Sequence, residues 1–460
     1  MNRAVRSLTQ RLGRISRSFS PAQVIVLIFA LIVLIGACLL DTPAASRSGE
    51  SCGFLTALFT ACSATCVTGL ALVDTFTQWS GFGQAVLLIL IQVGGLGFMT
   101  IFSLFLMMLN AKLGLKKRMI LQQAFGLTDI EGVVQLLRRV ILVTAVMEFT
   151  GAVILCLRFL RDFPVNQAIW MGVFHSVSAF CNAGFDILGR ISPGCSLSPY
   201  AGDPVVCITV MILIVVGGIG FFVWQDLWLN RRNLKDISVY SRLALTITAI
   251  LLVGGAAVFG ACEWNNPATL GSVGTGGRLL GAVFQSVTTR TAGFATFSQG
   301  AMTEAGKALS CIWMLIGGCS GSTAGGMKTV TVGVMLLSTI SVARGKTRLT
   351  VFKRTVSPAQ IAMAVSIVTL MVSLALIGAV LLTAGNGIPF LDALFETASA
   401  LGTVGLTADV TPGLNVGSQL MIIVFMFFGR VGITTISLGF LMGDRAEERI
   451  RYAETKLMIG

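Results

Sequence analysis

The sequence predicts an all-α integral membrane protein of four consecutive repeats. Each repeat is a span, a re-entrant half-helix and a second span, giving eight transmembrane helices and four half-helices with pseudo-fourfold symmetry around one axis. Three observations predict it. First, 55% of residues are hydrophobic, only 12% are charged and mean hydropathy is +0.86, outside the range of ordinary soluble domains. Second, one short pattern occurs four times: an apolar segment carrying a Phe, then Ser or Thr, then a short run closing on Gly followed by Leu or Phe. The closing glycines, Gly69, Gly184, Gly293 and Gly405, recur about every 110 residues. Third, most Lys and Arg fall in five segments that alternate with these patterns.

In chain order, residues 1–20 interleave Arg3, Arg6, Arg11, Arg14 and Arg17 with Val5, Leu8, Leu12, Ile15 and Phe19 at helical spacing. That describes a cytoplasmic amphipathic helix on an anionic leaflet. Ser20 and Pro21 read as N-cap and N1 of the first span. The repeats then occupy 21–115, 116–235, 236–350 and 351–443, with a tail over 444–460. Within each, two apolar runs of roughly 20 residues or more match the ~30 Å hydrocarbon core, and the segment between them is too short to span.

The polar connections are all short, so control by a nucleotide requires a separate subunit. The charge balance is +13, but its placement is the positive-inside pattern: both termini and the inter-repeat loops cytoplasmic, the half-helices on the outer side. No nucleic-acid partner is expected; membrane lipid is. The 11 cysteines lie mostly in apolar runs, and the single His cannot complete a metal site with them. Cys52 and Cys195 fall on the outer side, where they could pair.

The closing runs carry the chemistry. They read Thr65-Cys66-Val67-Thr68-Gly69, Phe180-Cys181-Asn182-Ala183-Gly184, Thr289-Arg290-Thr291-Ala292-Gly293 and Leu401-Gly402-Thr403-Val404-Gly405. None contains a carboxylate, so a bound ion is held by peptide carbonyls. Irregular backbone at membrane depth is tolerated only inside protein or against a wet cavity. Rings of carbonyls suit a weakly hydrated monovalent cation of K⁺ size, whereas a divalent ion favours Asp and Glu. Each half-helix also directs its partially negative C-terminus at the site.

The fourfold span, half-helix, filter, span plan, with the runs just quoted, resembles the Trk/Ktr/HKT superfamily of K⁺ transporters over nearly the whole chain. The length and the start Ser20-Pro21-Ala22-Gln23 are most similar to its KtrB/TrkH-type pore-forming subunits. The resemblance implies K⁺ uptake across the bacterial cytoplasmic membrane. It also implies a homodimer and a cytosolic ring of nucleotide-binding RCK subunits (KtrA/TrkA-like), with nucleotide acting only through that partner. In the family a serine at the first filter glycine accompanies Na⁺ transport; Gly69 therefore implies K⁺, with Na⁺ coupling or permeation the alternative. Basic segments 112–118 and 344–354 are expected docking surfaces for partner or lipid.

The second span of repeat three is interrupted. Gly317, Gly318, Cys319, Ser320, Gly321, Ser322, Thr323, Ala324, Gly325, Gly326, Met327 and Lys328 cannot hold a straight helix. In the family the matching segment is an intramembrane loop that gates the pore. Gly94-Gly95-Leu96-Gly97 and Gly217-Gly218-Ile219-Gly220 read as shorter versions that serve close packing or bends. Arg430, within the last apolar run, is costly there and must face protein or water. It is expected to donate to loop carbonyls or hydroxyls between residues 317 and 323, the alternative being an ion pair with Glu148 or Asp392.

His175 reads as structural, Arg290 as pointing behind its filter run, and Glu396 as a helix tie. The chain is not read as an enzyme. A distant alternative, an intramembrane serine protease using Ser320 and His175, leaves the fourfold repeat unexplained.

Overall fold

The computed structural model describes residues 21–97, 133–231, 233–346 and 348–432; segment 1–20, the basic stretch 112–118 and the tail 444–460 lie outside them. Repeat one contributes α1 (Pro21–Leu40), α2 (Phe54–Thr65) and α3 (Gly81–Leu96). Repeat two contributes α4 (Val133–Phe159), α5 (Val165–Phe180), α6 (Pro204–Ile219) and α7 (Phe221–Leu229). Repeat three contributes α8 (Val239–Glu263), α9 (Thr275–Thr288), α10 (Glu304–Leu315) and α11 (Thr329–Ala343). Repeat four contributes α12 (Pro358–Asn386), α13 (Phe390–Gly402) and α14 (Val416–Val431). The one sheet among the described residues is a hairpin of Thr350–Val351 against Arg354–Thr355.

Polar residues start the later helices of the repeats. Ser80, Asp203, Thr303 and Asn415 accept hydrogen bonds from backbone N–H groups in the first turns of α3, α6, α10 and α14. Ser238 and Ser357 do the same for the long helices α8 and α12, with Pro358 at N1 of α12. The half-helices α2, α5, α9 and α13 begin after Gly53, Pro164, Gly274 and Pro389, which have no capping side chain. Tertiary packing must hold them, and each lies against the long helix that precedes it. Their phenylalanines, Phe59, Phe174, Phe284 and Phe395, are fully buried at matching places.

Among the described residues four helices are long and apolar enough to cross a membrane, α1, most of α4, α8 and α12, and a fifth crossing results if α6 and α7 count as one broken span. Eight were expected from the sequence. The expected second spans of repeats one and four run on into residues outside the described ones, and those of repeats two and three are broken. Helices α3 and α14 end at Gly97 (φ 77°) and Gly432 (φ 87°), and α6 and α7 meet at 87° across Gly220 (φ 100°). In repeat three the break widens into the stretch between α10 and α11. The motif is Gly-x-x-Gly, and its first glycine admits a half-helix end. A side chain at Gly94, Gly217 or Gly429 would strike the carbonyl of Thr65, Phe180 or Leu401, respectively. Close packing is therefore present at all three, and a bend at Gly220.

All 11 cysteines are free, Cys52 and Cys195 among them. Cys195 directs its thiol at the Leu188 carbonyl, 3.5 Å away.

Candidate functional site

The four closing runs share one unusual backbone. Val67, Asn182, Thr291 and Thr403 have φ between 49° and 64°, and two residues on, Gly69, Gly184, Gly293 and Gly405 have φ between 67° and 95°. Left-handed backbone at a β-branched residue is a strained state that persists only where its surroundings dictate it. Alternating it with ordinary backbone turns successive carbonyls to the same side. Four repetitions in register argue for a common purpose.

The runs also meet. A side chain on Gly69 would come closer than 3.0 Å to the carbonyl of Ala183, one on Gly184 to Ala292, one on Gly293 to Val404, and one on Gly405 to Thr68. The contacts pass from repeat one through two, three and four and return to one, a closed ring around a single axis. Behind it each half-helix supplies a hydroxyl staple. The Ser63 and Ser399 hydroxyls accept from the N–H of Gly69 and Gly405 at 3.0 Å. Ser178 and Thr288 donate to the carbonyls of Phe185 and Phe294 at 2.7 and 2.6 Å. The recurrent Ser or Thr in the sequence pattern was the visible signal for this role. Beside the ring, the buried hydroxyls of Thr65, Thr68, Thr291 and Thr403 have no protein partner.

Two side chains of the runs make contacts behind the ring. Arg290 is buried and reaches Thr248 of α8 at 3.4 Å, behind its own run. Cys181 lies between Gln92 and Glu148, at 3.6 and 3.8 Å. Glu396 accepts from Thr407, Ala408 and Thr411, tying α13 to the chain beyond the ring. His175 Nδ1 sits 2.7 Å from the Met171 carbonyl with its ring against Phe159 and Phe174, and shares no hydrogen bond with Ser320.

Where the runs end lies a cavity of about 430 Å³ walled by all four closing glycines and by Asp74, Asp186 and Asp409. The runs carry no carboxylate; the chain segments that follow them do. Their offsets from the glycines differ, which hid them from any repeat-based reading. Burial pushes the Asp186 carboxyl up to about 7, against the Leu188 N–H that stabilises its charge and with the nearby Asp74 charge adding to the rise.

On the opposite side lies the interrupted segment of repeat three. Helix α6 ends early and frees carbonyls that this segment takes up: Thr323 N–H donates to Gly217 O (3.2 Å) and Cys319 N–H to Gly218 O (2.9 Å). Phe221 N–H returns a bond to Gly321 O, and Tyr240 donates to Ser320 O. Gly326 N–H donates to Gly429 O of α14. Gly325 lies against the Thr403 side chain, and Gly326 against the Gly402 carbonyl. The segment thus sits directly against the closing runs of repeats two and four.

Arg430 fastens it. Its guanidinium donates to the Thr323 carbonyl and, from the other amino group, to the carbonyls of Gly94 and Gly95, the latter at 2.9 Å. The bond to repeat one is absent from the sequence expectation, in which only the loop appears. The alternative ion pairs do not form: Glu148 accepts from Gln92, and Asp392 pairs with Lys307 at 2.8 Å. Lys328 donates to the carbonyls of Ala324 (2.8 Å) and Gly325 (3.4 Å) within the loop.

A family model described as "TrkH: Cation transport protein" matches residues 15–448. The potassium/sodium uptake protein NtpJ of Enterococcus hirae is 39% identical over 97% of this chain and 99% of its own length. The Ktr system potassium uptake protein B of Bacillus subtilis is 40% identical over 96% of this chain and 97% of its own. Among solved structures, the potassium transporter TrkH from Vibrio parahaemolyticus superposes with a TM-score of 0.68 at 18% identity, covering 91% of this chain and 84% of that one, a likeness of fold.

Proposed function

Because the chain belongs to the TrkH family of cation transport proteins, we propose that it is the pore-forming subunit of a K⁺ uptake system, passing the ion through the ring of carbonyls at its centre. The family consists of transporters, not enzymes, so the serine-protease alternative falls away. The carrying observation is the closed circuit of contacts among Thr68, Gly69, Ala183, Gly184, Ala292, Gly293, Val404 and Gly405.

Four sets of peptide oxygens on one axis replace the hydration shell of a monovalent cation. Fixed dipoles at the ends of α2, α5, α9 and α13 add negative potential where the ion sits. Residues 65–69, 180–184, 289–293 and 401–405 are the proposed filter. Gly317, Gly318, Ser320, Gly321, Ser322, Thr323, Gly325, Gly326 and Lys328, held by Arg430, form the proposed gate. The repeat boundaries at 115, 235 and 350 and the cytoplasmic placement of both termini are part of the same reading. A relative named as part of a Ktr system supports a partner subunit. We assign that partner the RCK class, with nucleotide acting through it and the pore subunit forming a homodimer.

Growth rescue of a bacterium lacking K⁺ uptake, at low external K⁺, tests the proposal. Rescue by the native chain and its loss with Gly69→Ser are expected, since Ser at φ 95° is strained and strikes the Ala183 carbonyl. Rescue failing for a chain that reaches the membrane would overturn it. The second reading, a sodium-coupled or sodium-permeable transporter of the same fold, is favoured by the relative named for potassium and sodium. Sodium influx matching K⁺ influx in the native chain would select it.

A further inference from the structure

Three consecutive carbonyls of the loop, those of Thr323, Ala324 and Gly325, are each occupied by a cation belonging to the protein. Arg430 takes the first and the Lys328 ammonium takes the next two. Among the described residues the ion pairs join Arg158 to Asp162 and Asp203, and Lys307 to Asp392; Lys328 is in none of them. Its charge is met by peptide oxygens, which is how a filter holds K⁺. The position is also electrostatically unfavourable. Lys328 is the N-cap of α11, with extended backbone (φ −72°, ψ 139°), and a cation there opposes the helix dipole. A Lys that contributed only to helix stability would not be placed at this end.

Location gives the arrangement its consequence. Gly325 and Gly326 lie against Thr403 and Gly402 of the fourth filter run, so the loop backbone that Lys328 holds packs beside the proposed ion path. An ammonium and a K⁺ ion have similar radii and compete for the same carbonyl sites.

We propose that Lys328 is a tethered stand-in for the transported ion: its ammonium closes the loop under the ring by filling the Ala324 and Gly325 carbonyls, and an alkali cation arriving there displaces it and favours the open loop. This rests on the K⁺ transport reading. It adds that closure is an occupancy competition, and that the pore is shut by its own cation.

The test uses the full chain in liposomes without a partner, with rubidium influx as the readout and K⁺ varied on the gate side. Native protein is expected to pass rubidium slowly and to speed up as gate-side K⁺ rises. In Lys328→Met the basal flux rises about tenfold, the factor that corresponds to ~1.4 kcal/mol of lost closed-state preference, and ceases to depend on gate-side K⁺. Lys328→Gln, neutral but still a donor, behaves as Lys328→Met does; Lys328→Arg, which retains a cation, gives the smaller rise.

A Gln variant with native flux and native K⁺ dependence would overturn the idea, because hydrogen bonding rather than charge would then be holding the loop. Unchanged flux in a monodisperse Met variant overturns it equally. Native protein that passes no rubidium in any condition defeats the transport reading itself, an outcome distinct from either.

Discussion

The hydroxyl of Thr323 donates to the carbonyl of Phe180 at 3.1 Å, which fastens the glycine-rich loop of repeat three, the proposed gate, to the last turn of the half-helix that leads into the second closing run. Both residues are buried. The carbonyl is among those a terminating helix leaves without an intrahelical partner, so loop and filter share one bond. Removing it with Thr323→Val preserves shape and leaves a buried oxygen unsatisfied, a loss of ~1–3 kcal/mol from the closed arrangement. Rubidium influx into liposomes should rise several-fold, with discrimination against sodium falling in the same variant. Raised influx with native discrimination would show that the bond closes the loop without shaping the filter.

Arg430 joins three repeats through the carbonyls of Thr323, Gly94 and Gly95. Its planar fork suits that bridge, and a lysine ammonium, with a single nitrogen, cannot serve both sides at once. Arg430→Ala should raise basal flux, and Arg430→Lys should restore part of the closure. Unchanged influx in a well-expressed Ala variant would remove Arg430 from the gate.

Periodicity and composition made the long helices and the four half-helices legible, because the Phe, the hydroxyl and the closing Gly recur in all four repeats, with repeat three one residue shorter between Phe and Gly. The helix ends at Gly97 and Gly220 were visible as Gly-rich strings, the matching one at Gly432 was not read, and the purpose they share was not visible. It depends on carbonyls of half-helices distant in sequence. The same limit hid the Arg430 bonds to Gly94 and Gly95, since nothing in a sequence marks a backbone oxygen as an acceptor. Asp74, Asp186 and Asp409 were missed for a different reason: they converge on one cavity from unequal offsets.

Close approach at the ring separates glycines that matter from those that do not. Gly405→Ala places a methyl against the Thr68 carbonyl and Gly69 from a left-handed backbone. Gly413→Ala meets nothing within 4 Å. Growth at low K⁺ should be lost with the first and retained with the second, at comparable expression. Retained growth with Gly405→Ala would mean that the ring is not the narrowest part of the path.

In the proposed orientation the cavity at the closing glycines opens outward and carries a proton-sensitive charge. The Asp186 carboxyl, raised to about 7, is protonated below that pH and ionised above it, so the mouth grows more negative as external pH rises through neutrality. A more negative mouth concentrates cations at the filter, and the effect is screened by salt. Initial uptake at sub-saturating K⁺ should therefore increase from about pH 6 to about pH 8, with the increase centred near the raised carboxyl and smaller at high ionic strength. Asp186→Asn should flatten the profile at its acid-limb level, because the amide is neutral throughout. Asp74 faces Asp186 across the wall and accepts the Gly194 N–H at 2.8 Å, so Asp74→Asn removes one cause of the rise and should move the midpoint to lower pH. A native profile that is flat over this window, or one that Asp186→Asn leaves intact, would assign the mouth no part in setting the rate.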